Sequence, residues 1–252
     1  PLYDVKQPFE NRDPRLKASI VVPGDSWLGY IYNSRPSAAQ TLRLSDNKLI
    51  SNQDSQSVNA FPSFTGLLKK KAIPNDPAIN WKSQDLSNII IRYAEVLLTY
   101  AEAKIELNEI DQTVLDAINT VRARAYGVSL SSTSNYPALS TINQSELRRY
   151  VRTERRVEFC FEGLRYRDIL RWGIANEVFN KSVYGYPKTE TPGWPIGGIP
   201  TFDANDIPNY SGFASNLNVI YTTAFDPEKH YLWAIPYGEF TINNKLKQNP
   251  KY

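Results

Sequence analysis

The sequence predicts a mainly α-helical protein in which helical hairpins are joined by long irregular loops and a few short strands. Helical periodicity is confined to the middle of the chain, residues 86–179. The flanking regions, residues 1–85 and 180–252, are loop-rich, with many Pro, Gly, Ser, Asn and aromatic residues. A chain of 252 residues buries enough surface to fold without crosslinks, and its single cysteine, Cys160, offers no internal disulfide.

The N-terminal region, residues 1–85, reads as loops with little regular structure, and we expect it to lie on the ligand side. Residues 10–22 predict a turn followed by a short apolar strand. Residues 24–40 mix aromatic side chains with loop residues, and residues 44–64 are rich in Ser, Asn and Gln, which is typical of a long surface loop. Structureless segments of that length are usually functional or disordered.

The first predicted helix is the segment IIIRYAEVLLTYAEAKIEL, residues 89–107. Its apolar residues cover more than half of the circumference, so we expect neighbouring elements on more than one side. A helix of this kind is typical of the inside of a layered helical array. At helical spacing its polar side chains form one narrow stripe, which consists of Arg92, Glu95, Thr99, Glu102 and Glu106.

The second predicted helix begins at an Asp111 cap and runs to about Ala125, with Gly127 just beyond its end. The short connection to the first helix predicts an antiparallel hairpin. Its apolar stripe consists of Val114, Leu115, Ile118 and Val121.

The third predicted helix begins near Asn143, where Glu146 completes the spacing of a capping box, and runs to about Glu162. It stops at Gly163, and a fourth helix is expected from Leu164 to Phe179. Beyond it, residues 184–200 have the composition of a shaped loop, the segment HYLWAIP, residues 230–236, predicts a buried strand, and the tail is expected to be extended.

Composition argues against several classes of function. The formal net charge of +3 and pI near 8.8 are weak evidence for a nucleic-acid partner, and the arginines between positions 148 and 171 are interleaved with acids. We therefore expect no nucleic-acid partner. With one cysteine and one histidine, His230, the sequence predicts no metal site and no cofactor. We expect His230 to be an ordinary surface or edge histidine, since no Ser or Asp lies at a motif spacing.

Glu95 and Glu102 lie seven residues apart and point the same way on the first helix. One interpretation makes them the acid and base of a glycosidase. The other makes them the polar edge of a packing helix, with Arg92 reaching Glu95 at i+3. We favour the structural interpretation, because both acids share their stripe with Arg92.

Glu154 and Glu158 fall inside the apolar stripe of the third helix, so each must be paired or protonated. A buried Glu with a raised pKa would suit catalysis. The alternative is an arginine–carboxylate network, joined by Asp168, that locks the third helix to the fourth. We favour the network. The candidate partners are Arg155, Arg156, Arg165, Arg167 and Arg171.

Several long sequence blocks follow one another along nearly the whole chain. They are DPRLKASI at 13–20, the first helix, INTVRARA at 118–125, ELRRYVRTERRVEFCFEGLRYRDILRWG at 146–173 and IPYGEFTINNKLKQNPKY at 235–252. The order of these blocks resembles the SusD/RagB family. Two positions differ from the usual pattern: Lys251 stands where Gly is common, and Tyr166 stands where Trp is frequent.

The resemblance implies a SusD-like fold with tetratricopeptide-like helical hairpins. It also implies an outer-membrane lipoprotein on the cell surface that captures oligosaccharides and delivers them to a SusC-type TonB-dependent transporter, without catalysis. The resemblance further implies that this chain is the C-terminal portion of the protein, which the absence of methionine fits. The N-terminal portion would carry the membrane-anchoring lipid, for which Cys160 is misplaced. The alternatives are a peptide-binding member of the family, a surface glycoside hydrolase, or a docking module without a ligand.

Aromatic loops are the candidate ligand sites, because flat rings stack on sugar faces while neighbouring polar groups bond hydroxyls. The competing interpretation is that these rings only anchor the loops to the helical body. Loops on a rigid scaffold commonly carry binding residues. The candidates are Trp27, Tyr30, Tyr32, Asn33 and Arg35, with Asp25 beside them; Tyr184, Tyr186 and Trp194; and the solitary Trp81.

Overall fold

The structure is a computed structural model that describes residues 4–78, 89–190 and 194–252. Within these ranges the chain is mainly helical. The α-helices are α1 (Arg15–Ser19), α2 (Tyr93–Glu106), α3 (Gln112–Ala125), α4 (Gln144–Glu158), α5 (Arg165–Arg171), α6 (Ala175–Phe179) and α7 (Tyr237–Ile242).

The strands are short and lie on both sides of the central helices in the sequence. They are β1 (Ile20–Val21), β2 (Ser26–Trp27), β3 (Tyr30–Ile31), β4 (Gln40–Arg43), β5 (Lys48–Ser51), β6 (Leu68–Lys69), β7 (Ser182–Pro187), β8 (Thr201–Phe202), β9 (Pro208–Asn209) and β10 (Leu217–Thr222). They form an antiparallel sheet in the order β2-β3-β4-β5 and the antiparallel pairs β1-β6, β7-β10 and β8-β9.

The largest hydrophobic core lies among α2, α3 and α4. All four residues of the stripe predicted for the second helix are buried in it, which confirms the orientation of α3. Burying apolar side chains of this size contributes about 1.5–3 kcal/mol each. The core consists of Leu98, Ala101, Ile105, Val114, Leu115, Ala117, Ile118, Val121, Leu147, Val151 and Phe159.

Side-chain caps begin α3 and α4 where they were expected. The Asp111 carboxylate accepts hydrogen bonds from the backbone N–H groups of Thr113 at 2.9 Å and Val114 at 3.3 Å. Asn143 accepts one from the Glu146 N–H at 3.0 Å. The capping box is incomplete, because the Glu146 carboxylate accepts from the Thr141 hydroxyl instead. These bonds satisfy N–H groups that have no partner inside the helix.

The first helix differs from its prediction in length and in packing. It begins at Tyr93, because Ile89, Ile90 and Ile91 precede the helical turns and are exposed. One apolar side of α2 packs on α3 and α4 in the core. Another apolar side, which includes Val96 at 53% exposure, is exposed among the residues that the structure describes. Within these residues, the expected neighbours are therefore present on one side only.

The third predicted helix ends early, and the fourth is interrupted in the middle. α4 stops at Glu158, since Phe161 (φ 64°) and Gly163 (φ 82°) adopt left-handed conformations in the turn that follows. The predicted fourth helix is two helices, α5 and α6. Gly173 (φ 69°) separates them, and the N–H of Ile174 bonds back to the carbonyl of Ile169. A glycine in the left-handed region commonly ends a helix, so Gly173 was a sequence feature that could have predicted this break.

The strand predicted at residues 230–236 is absent, and the segment is a turn followed by irregular chain. Trp233 is 72% exposed rather than buried. The side-chain amide of Gln248 accepts from the Ile235 N–H at 2.8 Å and donates to the Ile235 carbonyl at 3.0 Å. This amide occupies the backbone groups that a neighbouring strand would have paired.

The predicted surface loop of residues 44–64 contains the turn and the second strand of a hairpin. β5 pairs with β4, so that Leu49 opposes Leu42 and Ile50 opposes Thr41. Sheet pairing overrides the loop-like composition here. The preceding β2-β3 hairpin turns through Leu28 (φ 47°) and Gly29 (φ 86°), two positive φ values that suit a tight two-residue turn.

Among the helices that the structure describes, none combines the length and apolar character needed to cross a membrane.

Candidate functional site: a cavity between the N-terminal sheet and a distant loop

A cavity of about 620 Å³ opens beside the N-terminal sheet. Its volume lies within the range of about 300–1,000 Å³ that is typical of small-molecule sites. It is formed by the segment before α1, the end of β3 and the residues after it, and one distant tryptophan. The lining residues are Lys6, Gln7, Pro8, Phe9, Glu10, Pro23, Gly24, Ile31, Tyr32, Asn33, Arg35 and Trp194.

Trp194 joins the C-terminal region to the wall of the cavity. Its indole N–H donates to the Ser34 hydroxyl at 3.2 Å, across 160 residues of sequence. Its ring packs on Tyr186, with 5.0 Å between centroids, and the Tyr186 N–H bonds to the carbonyl of Phe64 at 3.0 Å. Two loops far apart in sequence therefore share one buried aromatic and polar junction behind the cavity.

Arg35 and Asn33 present polar groups to the cavity. The side-chain amide oxygen of Asn33 accepts from the Arg35 backbone N–H at 3.2 Å, which leaves the side-chain amide nitrogen of Asn33 as a donor. The Arg35 guanidinium stands 3.8 Å from Glu190, too far for a hydrogen bond. The Glu190 carboxylate instead accepts from the N–H and hydroxyl of Ser37 at 2.6 and 2.8 Å.

The structure brings four of the sequence-predicted ligand residues to the cavity, namely Tyr32, Asn33, Arg35 and Trp194. The others lie elsewhere. Trp27 is only 3% exposed and packs with Val21 and Tyr32 in a small core. Tyr30 is half-buried, Tyr186 is buried, and Tyr184 packs on Tyr210. The neighbouring Asp25 accepts from the Val22 N–H. Trp81 lies outside the described residues.

The segment of residues 6–10 lines the cavity, and sequence analysis missed it. These residues are distant in sequence from the rest of the lining, so no local sequence pattern shows that they form part of a binding site. Phe9, an aromatic residue between Pro8 and Glu10 in an otherwise polar stretch, was the only available hint.

Two polar groups near the cavity wall are buried, one from Tyr32 and one from Asp54. The Tyr32 hydroxyl and the Oδ2 atom of Asp54 are buried without a hydrogen-bond partner among the described residues. Burial raises the pKa of Asp54. Burial and the nearby Asp54 charge raise the pKa of both Tyr30 and Tyr32. Both phenols therefore stay protonated at neutral pH and remain hydrogen-bond donors rather than bases.

The acids that were candidates for catalysis lie in an ionic network among the helices. Glu158 is 2% exposed. Its Oε2 accepts from Arg15 at 2.8 Å, and its Oε1 accepts from Arg92 and Arg124. Burial alone would raise the pKa of Glu158, but the hydrogen bonds from Arg15 and Arg92 outweigh it and hold the pKa below its usual value. Glu158 is thus an ionised structural group.

Glu154 is bound in the same manner. Its Oε1 accepts from Arg15 at 2.6 Å, and its Oε2 accepts from Arg122 at 2.7 Å. Arg15 bridges Glu154 and Glu158 with a single nitrogen and also forms a two-pronged pair with Asp13. All four oxygens of the two buried glutamates therefore face arginines.

A second cluster connects α2, α4 and α5. Asp168 accepts a two-pronged pair of hydrogen bonds from Arg155, at 2.9 and 3.0 Å, and one from Arg171. Glu102 accepts from Arg171 and from the indole N–H of Trp172 at 2.6 Å. Glu102 and Thr99, from the polar stripe of α2, thus face this cluster, because Arg155 also donates to Thr99.

The predicted network exists, but most of its predicted partners are wrong. Arg155 and Arg171 do pair with Asp168. Glu154 and Glu158 instead pair with arginines of α1, α2 and α3, as described above. Arg156 donates to the carbonyl of Asp206, Arg165 lies over the ring of Trp172, and Arg167 is exposed.

Arg92 also departs from its expected contact. It donates to Glu158 and Glu162 rather than reaching Glu95. Glu95, a member of the proposed acid/base pair, is half-buried on the first turn of α2. Its proposed partner Glu102 is occupied by Arg171 and Trp172.

A smaller groove of about 300 Å³ lies near the C-terminal tail and includes Tyr166, Phe225, His230 and Trp233. The Nδ1 atom of half-buried His230 accepts from the Asp226 N–H at 2.8 Å, and its ring packs on Phe225. His230 therefore stabilises the turn that contains it. In the described part of the chain, no cluster of three His, Cys, Asp or Glu residues is arranged to hold a metal ion.

Comparison of sequences finds a matching family and similar proteins. The SusD family model matches residues 1–252. SusD-like protein P2 of Formosa agariphila is 35% identical over 128 residues, which cover 50% of this chain and 22% of that protein. SusD-like protein P38 of the same organism is 35% identical over 97 residues, or 37% of this chain and 18% of that protein.

Solved structures of other proteins have a similar fold. A SusD-like carbohydrate binding protein from Bacteroides fragilis NCTC 9343 matches with a TM-score of 0.68 and 31% identity, over 98% of this chain and 44% of that one. A second SusD-like protein from that organism matches with a TM-score of 0.62 at 24% identity, over 97% of this chain and 40% of that one. The chain therefore spans less than half the length of these relatives.

Proposed function

The chain belongs to the SusD family, and on that premise we propose that it is part of a cell-surface lipoprotein that captures oligosaccharides without catalysis. The captured oligosaccharide would pass to a SusC-type TonB-dependent transporter in the outer membrane. One structural relative is a SusD-like carbohydrate binding protein, which supports a glycan as the ligand class.

The cavity beside the N-terminal sheet carries this proposal. It combines the ring of Phe9 and the edge of Trp194 with the polar groups of Gln7, Asn33 and Arg35. Sugars need this combination, because their C–H faces pack on rings while their hydroxyls exchange hydrogen bonds with amide and charged groups. We propose that these residues contact the oligosaccharide and that buried Trp27 and Tyr186 hold the loops in place.

The environment of the acids supports binding without hydrolysis. A glycosidase needs two carboxyl groups beside the scissile bond, one of them able to donate a proton. Glu154 and Glu158 are buried, and arginines occupy their oxygens. Glu102 is bound to Arg171 and Trp172. None of these three acids lines the cavity.

The exposed side of α2 supports a second proposal, that a further helical portion of the same protein packs on this chain. The exposed apolar residues on that side are Tyr93, Val96 and Tyr100, followed by Leu107 at the end of the helix, and Ile89, Ile90 and Ile91 are exposed just before it. A contiguous apolar patch of this kind marks an interaction surface. The relatives are more than twice as long as this chain, so their additional length is of the size needed to supply such a partner. That portion would also carry the membrane-anchoring lipid.

Affinity electrophoresis on a panel of soluble polysaccharides, followed by calorimetry with oligosaccharides, tests the glycan proposal. We expect retardation by at least one glycan and about tenfold weaker binding by Asn33→Ala, a loss of about 1.4 kcal/mol. The matched control is Asn244→Ala, because Asn244 is an exposed asparagine outside the cavity. Retardation by peptides alone, or by no ligand at all, would contradict the proposal.

A further inference from the structure

The hydrogen-bonding groups of the cavity are mostly donors. Lys6 and Arg35 carry positive charge, and the amides of Gln7 and Asn33 add N–H donors. Glu10 is the one carboxylate among the lining residues. Neutral sugars need donors and acceptors in comparable numbers, since each hydroxyl is both. A surplus of donors and positive charge instead suits a ligand rich in anionic oxygens.

The guanidinium of Arg35 is available to a ligand. Its side chain is 41% exposed, and the carboxylate nearest to it, that of Glu190, stands 3.8 Å away. Short hydrogen bonds from Ser37 hold both Glu190 oxygens in place. An exposed pair at this distance contributes at most about 1 kcal/mol. A ligand carboxylate or sulfate that meets the planar guanidinium with two oxygens would form the stronger interaction.

Lys6 supplies a second positive charge on the cavity wall. In the described ranges, no carboxylate lies within ion-pair distance of its ammonium group. Asp4 accepts a hydrogen bond from the Lys6 backbone N–H, and Asp4 does not line the cavity. The Lys6 ammonium therefore remains a free donor.

The carboxylate of Glu10 has one positively charged neighbour, Lys17, which lies outside the cavity. Lys17 stands 3.9 Å from the Glu10 carboxylate, and both side chains are exposed. Of the three charged lining residues, two are positive and one is negative, so the wall carries a net charge of +1. The Glu10–Lys17 pair is as weak as the Arg35–Glu190 pair, so the wall keeps its net charge of +1, in which Lys6 and Arg35 outweigh Glu10.

We propose that the cavity selects acidic oligosaccharides, whose uronic carboxylates or sulfate esters are bound by Arg35 and Lys6. This inference rests on the proposed glycan-binding function and narrows its ligand class. Phe9 would pack against a sugar ring, while Asn33 and Gln7 would bond its hydroxyls.

Calorimetry with paired ligands tests the inference. One ligand pair is a glucuronic-acid-bearing xylotetraose and plain xylotetraose, and another is a sulfated carrageenan oligosaccharide and its desulfated form. Oligogalacturonate serves as a third acidic probe. We expect the acidic member of at least one pair to bind at least tenfold tighter at low salt. Binding should weaken as sodium chloride rises from about 50 to 500 mM, because salt screens exposed charges.

A charge-matched pair of variants controls for nonspecific attraction. Lys6→Gln/Arg35→Gln and Arg43→Gln/Lys48→Gln both remove two positive charges, but Arg43 and Lys48 lie beside Asp46, outside the cavity. We expect the first variant to lose at least tenfold in affinity for the acidic ligand and the second to lose less than twofold. Equal losses in the two variants would overturn the inference.

The outcomes separate the inference from the proposed function. If neutral oligosaccharides bind as tightly as their acidic counterparts, the function stands and the charge selectivity is wrong. If no glycan binds, acidic or neutral, the proposed function fails and the inference fails with it. If only the sulfated probe binds tightly, the ester sulfate is identified as the anionic group; if only the uronic probes do, the carboxylate is.

Discussion

At the scale of the residue, the buried glutamates of α4 define the character of the helical middle. Their burial was predictable, because Glu154 and Glu158 interrupt an apolar stripe at helical spacing. Their partners were not, because Arg15 and Arg122 come from other elements, up to 143 residues away in the sequence. Local spacing favoured the arginines nearest in sequence, and tertiary packing selected others.

Substitution of Glu158 by Gln should strongly destabilise the protein. The change leaves Arg15, Arg92 and Arg124 without the carboxylate they share. Removing one partner from a buried ion cluster costs about 3–5 kcal/mol. The free energy of unfolding, from urea titration followed by circular dichroism, measures the effect.

The control for this prediction is Glu106→Gln, which removes an exposed carboxylate paired with Arg148 on the neighbouring helix. Such exposed pairs contribute about 0–1 kcal/mol. A Glu158→Gln variant as stable as Glu106→Gln would show that the network contributes little.

The same carboxylates predict a loss of stability in acid. Burial opposes ionisation of Glu158 and Glu162, but hydrogen bonds from Arg15 and Arg92 to Glu158, and from Arg92 and Lys71 to Glu162, keep both pKa values below the ordinary 4.5. The folded state then binds fewer protons than the unfolded state as the pH falls through this range. Stability is therefore complete above about pH 5 and declines as the pH falls below 4.5 towards the folded pKa values.

Urea titrations at pH 7, 5 and 3.5 measure this decline. We expect similar free energies of unfolding at the two higher pH values and a clear loss at pH 3.5. The loss should be smaller in Glu158→Gln, which lacks one of the groups. An equally steep decline in that variant would assign the acid sensitivity to other carboxylates.

At the scale of the element, helix starts were more predictable than helix ends. Asp111 and Asn143 are capping residues that act through bonds to residues two or three positions away, so the sequence alone identifies them. The break at Gly173 depends on a left-handed φ, which the sequence permits but does not require. The absent strand at 230–236 depends on Gln248, whose contact with Ile235 no local pattern predicts.

The N-terminal cap of α3 can be isolated by a matched pair of substitutions. Asp111 and Glu109 both lie within ion-pair distance of Lys104, but only Asp111 also accepts from the N–H groups of Thr113 and Val114. We expect Asp111→Ala to cost about 1 kcal/mol of unfolding free energy. Glu109→Ala should cost less than about 0.5 kcal/mol, as is usual at the surface. Equal losses would attribute the effect to the ion pair with Lys104.

At the scale of the whole molecule, the sequence indicated which loops bear aromatic rings but not which rings line the cavity. Trp27 and Trp194 are both buried, yet Trp27 lies in a small core with Val21 and Tyr32 while Trp194 lines the cavity. The difference arises when residues 6–10 and 194 come together, which is a property of the complete fold.

The exposed side of α2 should behave as an uncovered interface. We expect the isolated chain to bind a hydrophobic dye and to self-associate, because Tyr93, Val96 and Tyr100 are exposed together on one helix. The Val96→Glu/Tyr100→Glu variant should reduce dye binding and self-association in light scattering. Its unfolding free energy should change by less than about 0.5 kcal/mol, as for other surface substitutions.

Two results would contradict this view of α2. Unchanged dye binding in the variant would place the apolar surface elsewhere. A large loss of stability would show that Val96 and Tyr100 are already packed within this chain.

The central claim is that the buried glutamates stabilise the fold while the cavity binds the glycan. Measuring glycan binding and product release on the same samples tests it most directly. The samples are the wild type, Asn33→Ala and Glu158→Gln, each kept at a temperature where it is folded. The account predicts that the wild type binds a glycan without releasing sugars, that Asn33→Ala loses affinity at an unchanged melting temperature, and that Glu158→Gln keeps its affinity despite lower stability. Released product that disappears in Glu158→Gln would contradict it.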